Sequence, residues 1–151
     1  MASLQSLFSE MVRLEIELWN AVDNRLRTDL DLQLSSFEPM QVVARRGACR
    51  VQDIADEMAI TVGGTSKLVD RLESAGHCRR SSNPDDRRSS LVELTPAGRQ
   101  VLARAGDVID DELEMRVGSV LSARSRHEFG VALTTLRSAG HRLDATREKD
   151  F

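Results

Sequence analysis

Residues Asn83 to Gly98 read N-P-D-D-R-R-S-S-L-V-E-L-T-P-A-G, and no other stretch narrows the possible folds as far. A turn-forming segment tipped by two arginines leads into Leu91-Val92-Glu93-Leu94, which has the character of a strand. Cys78 to Ser82 lies where a pairing strand should be, across the Pro84 turn. Thr95-Pro96 then opens a helix, an N-cap residue followed by proline at the first helical position, where a missing amide costs little. A basic hairpin running straight into a capped helix is therefore expected.

Upstream of the hairpin the pattern is helical. Ser35-Ser36-Phe37-Glu38 has the form of a capping box, with Ser35 as N-cap and Glu38 reaching back, which predicts a helix from there to Arg46 and a stop at Gly47. Pro39 falls in its first turn on this placement. Val51 to Met58 is a short helix with Val51, Ile54, Ala55 and Met58 on one face. Ala59-Ile60-Thr61 makes a tight turn, and a second helix runs from about Val62 to Ala75, with Gly76 as its terminator and Val62, Leu68, Val69 and Leu72 facing inward.

The flanks are also helical. Leu4, Leu7, Phe8, Met11, Leu14, Leu18, Val22 and Leu26 recur at steps of three and four, and Val12, Ile16 and Trp19 form a second stripe beside them. One stripe suffices for packing inside a monomer, so two imply a further partner. After Thr95 a helix carries apolar residues from Val101 to Leu121, and Ser122 caps a last helix bearing Phe129, Leu133, Leu136 and Leu143. The fold class expected is mostly α with a small β-hairpin wing, a winged helix-turn-helix at residues 35–98 between dimerisation helices at 1–34 and 99–151.

Two short helices across a tight turn form a helix-turn-helix, whose second helix enters the major groove of DNA. Here that helix opens T-V-G-G-T-S-K. Each glycine inside a helix costs roughly 1 kcal/mol against alanine, so Gly63 and Gly64 suit a backbone that must approach another surface closely. Thr61, Thr65, Ser66 and Lys67 are expected along the outer face of the first turns, with Arg71 a turn further on able to reach the DNA backbone. On these residues alone, the polar side of an ordinary surface helix is the simpler account. The hairpin shifts the balance, because Arg87 and Arg88 lack apolar company and an arginine-tipped wing fits a narrow minor groove. Asp86 is expected to orient Arg88 through a bidentate pair.

Charge distribution agrees. The net charge is −3, yet residues 45–104 carry eleven Arg and Lys against eight Asp and Glu, while both flanks are acidic. Such a split presents one basic face to phosphate. No apolar run approaches the ~18 residues of a membrane span and no signal pattern opens the chain, so a cytoplasmic protein is expected.

Asp86-Arg87-Arg88 followed by Leu91-Val92-Glu93-Leu94-Thr95-Pro96-Ala97-Gly98 resembles the D-x-R…V-x-L-T…G wing of the multiple antibiotic resistance regulators, the MarR family. Val69-Asp70-Arg71-Leu72-Glu73 with Gly76 looks like the end of that family's recognition helix, and the order of elements fits nearly the whole chain. The resemblance implies a homodimer with interlocked terminal helices on a pseudo-palindromic operator. It implies Arg88 as the minor-groove contact and Thr61 to Lys67 as the major-groove reader. It also implies that most members repress nearby genes and release DNA when a small molecule binds. On family geometry, Arg13, Glu15, Trp19 and Met40 line an effector cavity.

Other signals are weaker. Cys49 and Cys78 are the only cysteines. Cys49 can form a short strand beside the wing and approach Cys78, so a redox switch through the pair is one alternative function. The first helix lacks the reactive cysteine of the family's peroxide sensors. His77, His127 and His141 are scattered without metal-ligand spacing, and the run Asp110-Asp111-Glu112 with Glu114 reads as a solvated helix face. No catalytic triad, phosphate loop or cofactor motif stands out, so neither an enzyme nor a cofactor is expected. A winged protein-interaction module without DNA binding is the second alternative.

Overall fold

The computed structural model describes residues 3–147. The chain divides into two compact units, one ending at Glu112 and the other beginning at Leu113.

The first unit opens with α1 (Leu4–Leu30), capped by the Ser3 hydroxyl, which accepts the Ser6 amide at 3.1 Å. Only its last turns enter the core, through Val22 and Leu26. Leu4, Leu7, Phe8, Val12, Leu14 and Ile16 are exposed. Both apolar stripes are therefore largely bare over the first two thirds of the helix, including the one a monomer was expected to bury.

α2 (Leu34–Arg46) starts two residues earlier than its sequence pattern suggests. Gln33 occupies the N-cap position, and no local side chain caps the helix. Instead Asp23 of α1 accepts the Leu34 amide at 2.8 Å. The capping box of Ser35 and Glu38 does not form, and Pro39 sits in the second turn with its ring buried. A tertiary carboxylate has replaced the local cap. Burial raises the pKa of Asp23, but hydrogen bonds from Arg27 and the Leu34 amide outweigh it and hold the carboxyl below its ordinary range.

α3 (Val51–Met58) and α4 (Val62–Ser74) meet across Ala59, whose left-handed φ of 54° turns the chain. α3 buries Ile54 and Ala55. α4 buries Thr65, Leu68, Val69 and Leu72. Val62, expected inward, is exposed at the first helical position, beyond the turns that pack, and Thr65 takes the inward place.

Three antiparallel strands follow the order β1-β3-β2, with β1 at Cys49–Arg50, β2 at Cys78–Ser82 and β3 at Ser90–Leu94. Cys49 pairs with Val92, and Cys78 pairs with Leu94. All four side chains are buried with Met40, Val42 and Val43 of α2 in one core. Thr95 locks the sheet to α5 (Pro96–Leu113): its hydroxyl donates to the Gly76 carbonyl at 2.5 Å and accepts the Gly98 amide at 3.0 Å. Gly98 has to be glycine here, since a Cβ would collide with the His77 carbonyl.

α5 ends at Leu113 and passes into a single π-turn at Glu114–Gly118, so the helix expected to run on to Leu121 is interrupted. Glu112 is buried, with Arg25 Nη1 3.4 Å from its carboxylate, so it does not belong to a solvated acidic face. The second unit contains the π-turn and α6 (Ala123–Arg147), where Ser122 caps by accepting the Ser125 amide at 3.1 Å. Phe129, Val131, Leu133, Leu136 and Leu143 of α6 are exposed. Among the described residues no helix is long and apolar enough to cross a membrane.

Candidate nucleic-acid interface

α4 presents its first turn to solvent. Thr61 is the N-cap, its hydroxyl accepting the Gly64 amide at 3.1 Å. Gly63 has open space where a Cβ would be, so nothing within the chain demands glycine there. Thr61, Gly63, Gly64, Lys67 and Arg71 are exposed and Ser66 is half-buried. Thr65 departs from expectation. It is 0% exposed, and its hydroxyl donates to the Thr61 carbonyl at 2.9 Å. Thr65 packs the helix against the core and is withdrawn from the outer face.

The wing loop is held from within by Asn83, a buried residue without a mark in the sequence beyond its place in a turn. Its amide donates to Ser89 Oγ at 2.9 Å and its oxygen accepts the Asp85 amide at 3.0 Å. Asp86 accepts the backbone amide of Arg88 at 2.9 Å. That bond shapes the turn but does not hold the guanidinium, so the expected bidentate pair is absent. The short aspartate is spent on an Asx-type turn two residues ahead. Arg87 and Arg88 project from the tip, both exposed.

Wing and helix are braced by Arg80, which sequence inspection passes over. Its guanidinium meets Asp70 at 2.8 Å and Glu73 at 3.2 Å, and its amide donates to Glu73 at 2.9 Å. Other basic residues of the middle segment are also engaged. Arg45 and Arg46 clamp Glu57 at 2.5 and 2.6 Å, Arg50 holds Asp53 at 2.8 Å, and Arg79 crosses to Glu93 at 2.6 Å. Lys67, Arg71, Arg87, Arg88, Arg99 and Arg104 have no ion pair among the described residues. The first four lie on α4 and the wing tip; Arg99, which donates to the Leu94 carbonyl, and Arg104 lie on α5.

Behind α4 a cavity of about 670 Å³ opens between α1, α2 and α4. Trp19, Phe37, Glu38, Gln41, Leu68 and Arg71 line it. Met40 does not line it. It is 0% exposed and fills the core on the other side of α2. Arg13 points to solvent, 3.6 Å from Glu10, and Glu15 borders a separate shallow hollow with Ile16, Trp19 and Asn20.

The cysteines are poor partners for each other. β1 and β2 flank β3, which sets their Cα atoms at least about 9.5 Å apart, well beyond the reach of a disulfide. Burial raises both thiol pKa values, that of Cys78 to about 11. A switch by direct pairing would require the sheet to come apart. Among the described residues no group of three or more His, Cys, Asp or Glu side chains is placed to hold a metal ion.

Comparison with known proteins agrees with this geometry. The sequence model of the MarR family matches residues 32–90. The HTH-type transcriptional regulator YfiV of Bacillus subtilis is 30% identical over 108 residues, covering 64% of this chain and 68% of its own. The multiple antibiotic resistance protein MarR of Escherichia coli is 24% identical over 129 residues, covering 82% and 90%. Among solved structures, a MarR family transcriptional regulator from Streptomyces coelicolor in complex with DNA superposes with a TM-score of 0.79 at 22% identity, over 92% of this chain and 89% of that one. FabT of Streptococcus pneumoniae in complex with DNA gives 0.78 at 18% identity, over 93% and 99%. With the winged fold, the wing motif and these relatives in agreement, the chain belongs to the MarR family of transcriptional regulators.

Proposed function

We propose that this protein is a homodimeric, sequence-specific DNA-binding regulator that represses its target genes and leaves its operator when a small molecule binds. The observation that carries this is the segregation of charge. The unpaired cations Lys67, Arg71, Arg87 and Arg88 sit on α4 and the wing, while the cations of the sheet and of α2 are neutralised. Thr61, Gly63, Gly64, Ser66 and Lys67 face the major groove, Arg71 reaches phosphate, and Arg87 and Arg88 enter the minor groove, with Asp86 shaping the turn that carries them. Thr65 supports the helix from behind.

The bare apolar faces of α1 and α6 are the surfaces a second copy would cover. Residues 1–34 and 99–151 then serve dimerisation and 35–98 serve DNA. A two-fold protein places its reading helices about one turn of DNA, ~34 Å, apart, and the cytoplasm is where such a regulator meets its operator. Two relatives in structures bound to DNA support the assignment.

The test is selection of bound sequences from a random duplex library, followed by titration with wild type and Arg88→Ala. Recovered sites should be two-fold symmetric, and the variant should bind them about tenfold more weakly, as for loss of one groove contact of 1–3 kcal/mol. A library without enrichment would leave the protein-interaction module as the better account. Full affinity in Arg88→Ala would remove the minor-groove role.

A further inference from the structure

Resting on the DNA-binding function proposed above for its consequence but not for its chemistry, we infer that Ser90 is a phosphoacceptor. It suits a kinase that reads arginines ahead of its target, and a phosphate there closes the wing to DNA. The tetrapeptide Arg-Arg-Ser-Ser occurs twice, at Arg79-Arg80-Ser81-Ser82 and at Arg87-Arg88-Ser89-Ser90. The hairpin folds one copy against the other and pairs Ser82 with Ser90. A polar hollow of about 880 Å³ is lined by Arg80, Arg87 and Arg88 and by all four serines.

The two copies match in sequence and differ in three dimensions. Arg79 is paired with Glu93, and Arg80 with Asp70 and Glu73, so the arginines ahead of Ser82 are already taken. Arg87 and Arg88 are exposed and have no ion pair among the described residues. The serines divide in the same way. Ser89 Oγ accepts from the Asn83 side-chain amide at 2.9 Å and donates to the Asp86 carbonyl at 3.3 Å. Ser90 makes no side-chain hydrogen bond among the described residues, and unpaired guanidiniums stand two and three positions ahead of it. Its place in the sheet is also the loosest. Ser90 pairs with Ser82 on one side, whereas β1 reaches only Leu91 and Val92 on the other. Opening that one terminal pair presents residues 87–91 to an enzyme groove as an extended segment.

In the transfer, Ser90 Oγ bonds to the γ-phosphorus of ATP as the bond from that phosphorus to the β,γ-bridging oxygen breaks. ADP leaves with the electron pair, and the hydroxyl proton passes to the base of the kinase. The product carries a charge of about −1.5 to −2 and three acceptor oxygens. It stands in the hollow that Arg87 and Arg88 also line, so both cations of the wing tip pair with it. Cations paired within the chain release no counterions from DNA.

The full-length protein is incubated with Mg-ATP and the catalytic subunit of cyclic-AMP-dependent protein kinase, a basophilic enzyme, and the acceptor is mapped by mass spectrometry. Phosphate should appear on Ser90. Ser90→Ala should abolish the labelling and keep the DNA affinity and urea midpoint of the unmodified wild type. Arg87→Ala should slow the transfer by about tenfold, the worth of one charge-assisted hydrogen bond, and Arg79→Ala should leave the rate unchanged. On the duplex recovered from the random library, the phosphorylated protein should bind at least about tenfold more weakly, the loss expected for one arginine. Its salt slope should fall by about two units per protomer, since two cations are withdrawn. Absence of phosphate from Ser90, or equal labelling of Ser82, overturns the site. Phosphorylated protein that binds the duplex as tightly as before refutes the closing of the wing. Unmodified protein that selects no duplex removes the DNA-binding function alone, and labelling of Ser90 then still establishes the acceptor.

Discussion

Arg80→Ala should loosen the wing from the recognition helix while hardly touching the fold. The guanidinium of Arg80 is 23% exposed and ties β2 to α4 through Asp70, 62% exposed, and Glu73, 42% exposed. Ion pairs with that much solvent are worth about 0.2–1 kcal/mol each, so the two together contribute about 0.5–2 kcal/mol to stability. Urea denaturation should report a loss in that range. DNA affinity should fall further than so small a loss would suggest, by about tenfold, because the Arg88 finger would no longer be held at a fixed angle to α4 and its contact is worth 1–3 kcal/mol. The salt dependence separates positioning from contact. Arg80 is neutralised by two carboxylates, so the slope of log affinity against log salt should stay at the wild-type value. Arg80→Lys, which keeps the charge but lacks the planar fork, should recover less than half of the loss. A slope reduced by about one unit per protomer would make Arg80 a phosphate ligand, and unchanged affinity would refute the bracing role.

Further outcomes follow from the same geometry. Lys67→Ala should lower the salt slope by about one unit per protomer, about two for the dimer, measured by anisotropy titration; an unchanged slope would exclude a phosphate contact. Thr65→Val should cost about 1 kcal/mol through the lost bond to the Thr61 carbonyl, yet leave the selected DNA sequence unaltered; a changed base preference would place Thr65 at the interface after all. Gly98→Ala should destabilise by about 1–3 kcal/mol, because the new methyl drives the start of α5 off the His77 carbonyl. The Cys78 thiol is pushed up to about 11 from an ordinary value of 9.0. Between those values the unfolded chain releases a proton that the folded chain keeps, so stability should fall as pH rises through the window. Cys78→Ser should flatten that fall, and a slope that persists in the variant would assign it to other groups.

How much was legible in the sequence depended on how local the determining interaction is. The wing, its pairing strand and the start of α5 were readable because turn chemistry and the Thr95-Pro96 cap act within a few residues. The short strand at Cys49 is a different case, since it exists only by pairing with Val92, far along the chain. The start of α2 was not readable, since its cap comes from Asp23 on another helix, eleven positions away, and competes successfully with Ser35. The facing of α4 was half readable. Its polar and apolar residues alternate as expected, but packing begins three residues, nearly one turn, further along, at Thr65 instead of Val62. Met40 illustrates a different limit. An apolar residue on α2 can line a void or fill a core, and only the neighbouring helices decide which. Arg80 and Asn83 were overlooked because their partners lie across the tertiary structure or inside a loop whose conformation had to be known first.

Charge composition shows most clearly what three dimensions add. Eleven basic against eight acidic residues in the middle segment is a modest surplus, and a solvated surface would explain it as well as a DNA site would. Pairing changes its meaning. Glu57 absorbs two arginines, Asp53 and Glu93 one each, and Arg80 engages both acids of α4. Of the six cations left over, four, Lys67, Arg71, Arg87 and Arg88, gather on two elements that Arg80 holds together, the exposed side of α4 and the tip of the wing, and Arg99 and Arg104 lie on α5. Neutralised cations cannot release counterions from DNA, whereas unpaired ones can. The salt slope should therefore track Lys67, Arg71, Arg87 and Arg88 and remain indifferent to Arg45, Arg46, Arg50 and Arg79, although all eight carry the same formal charge.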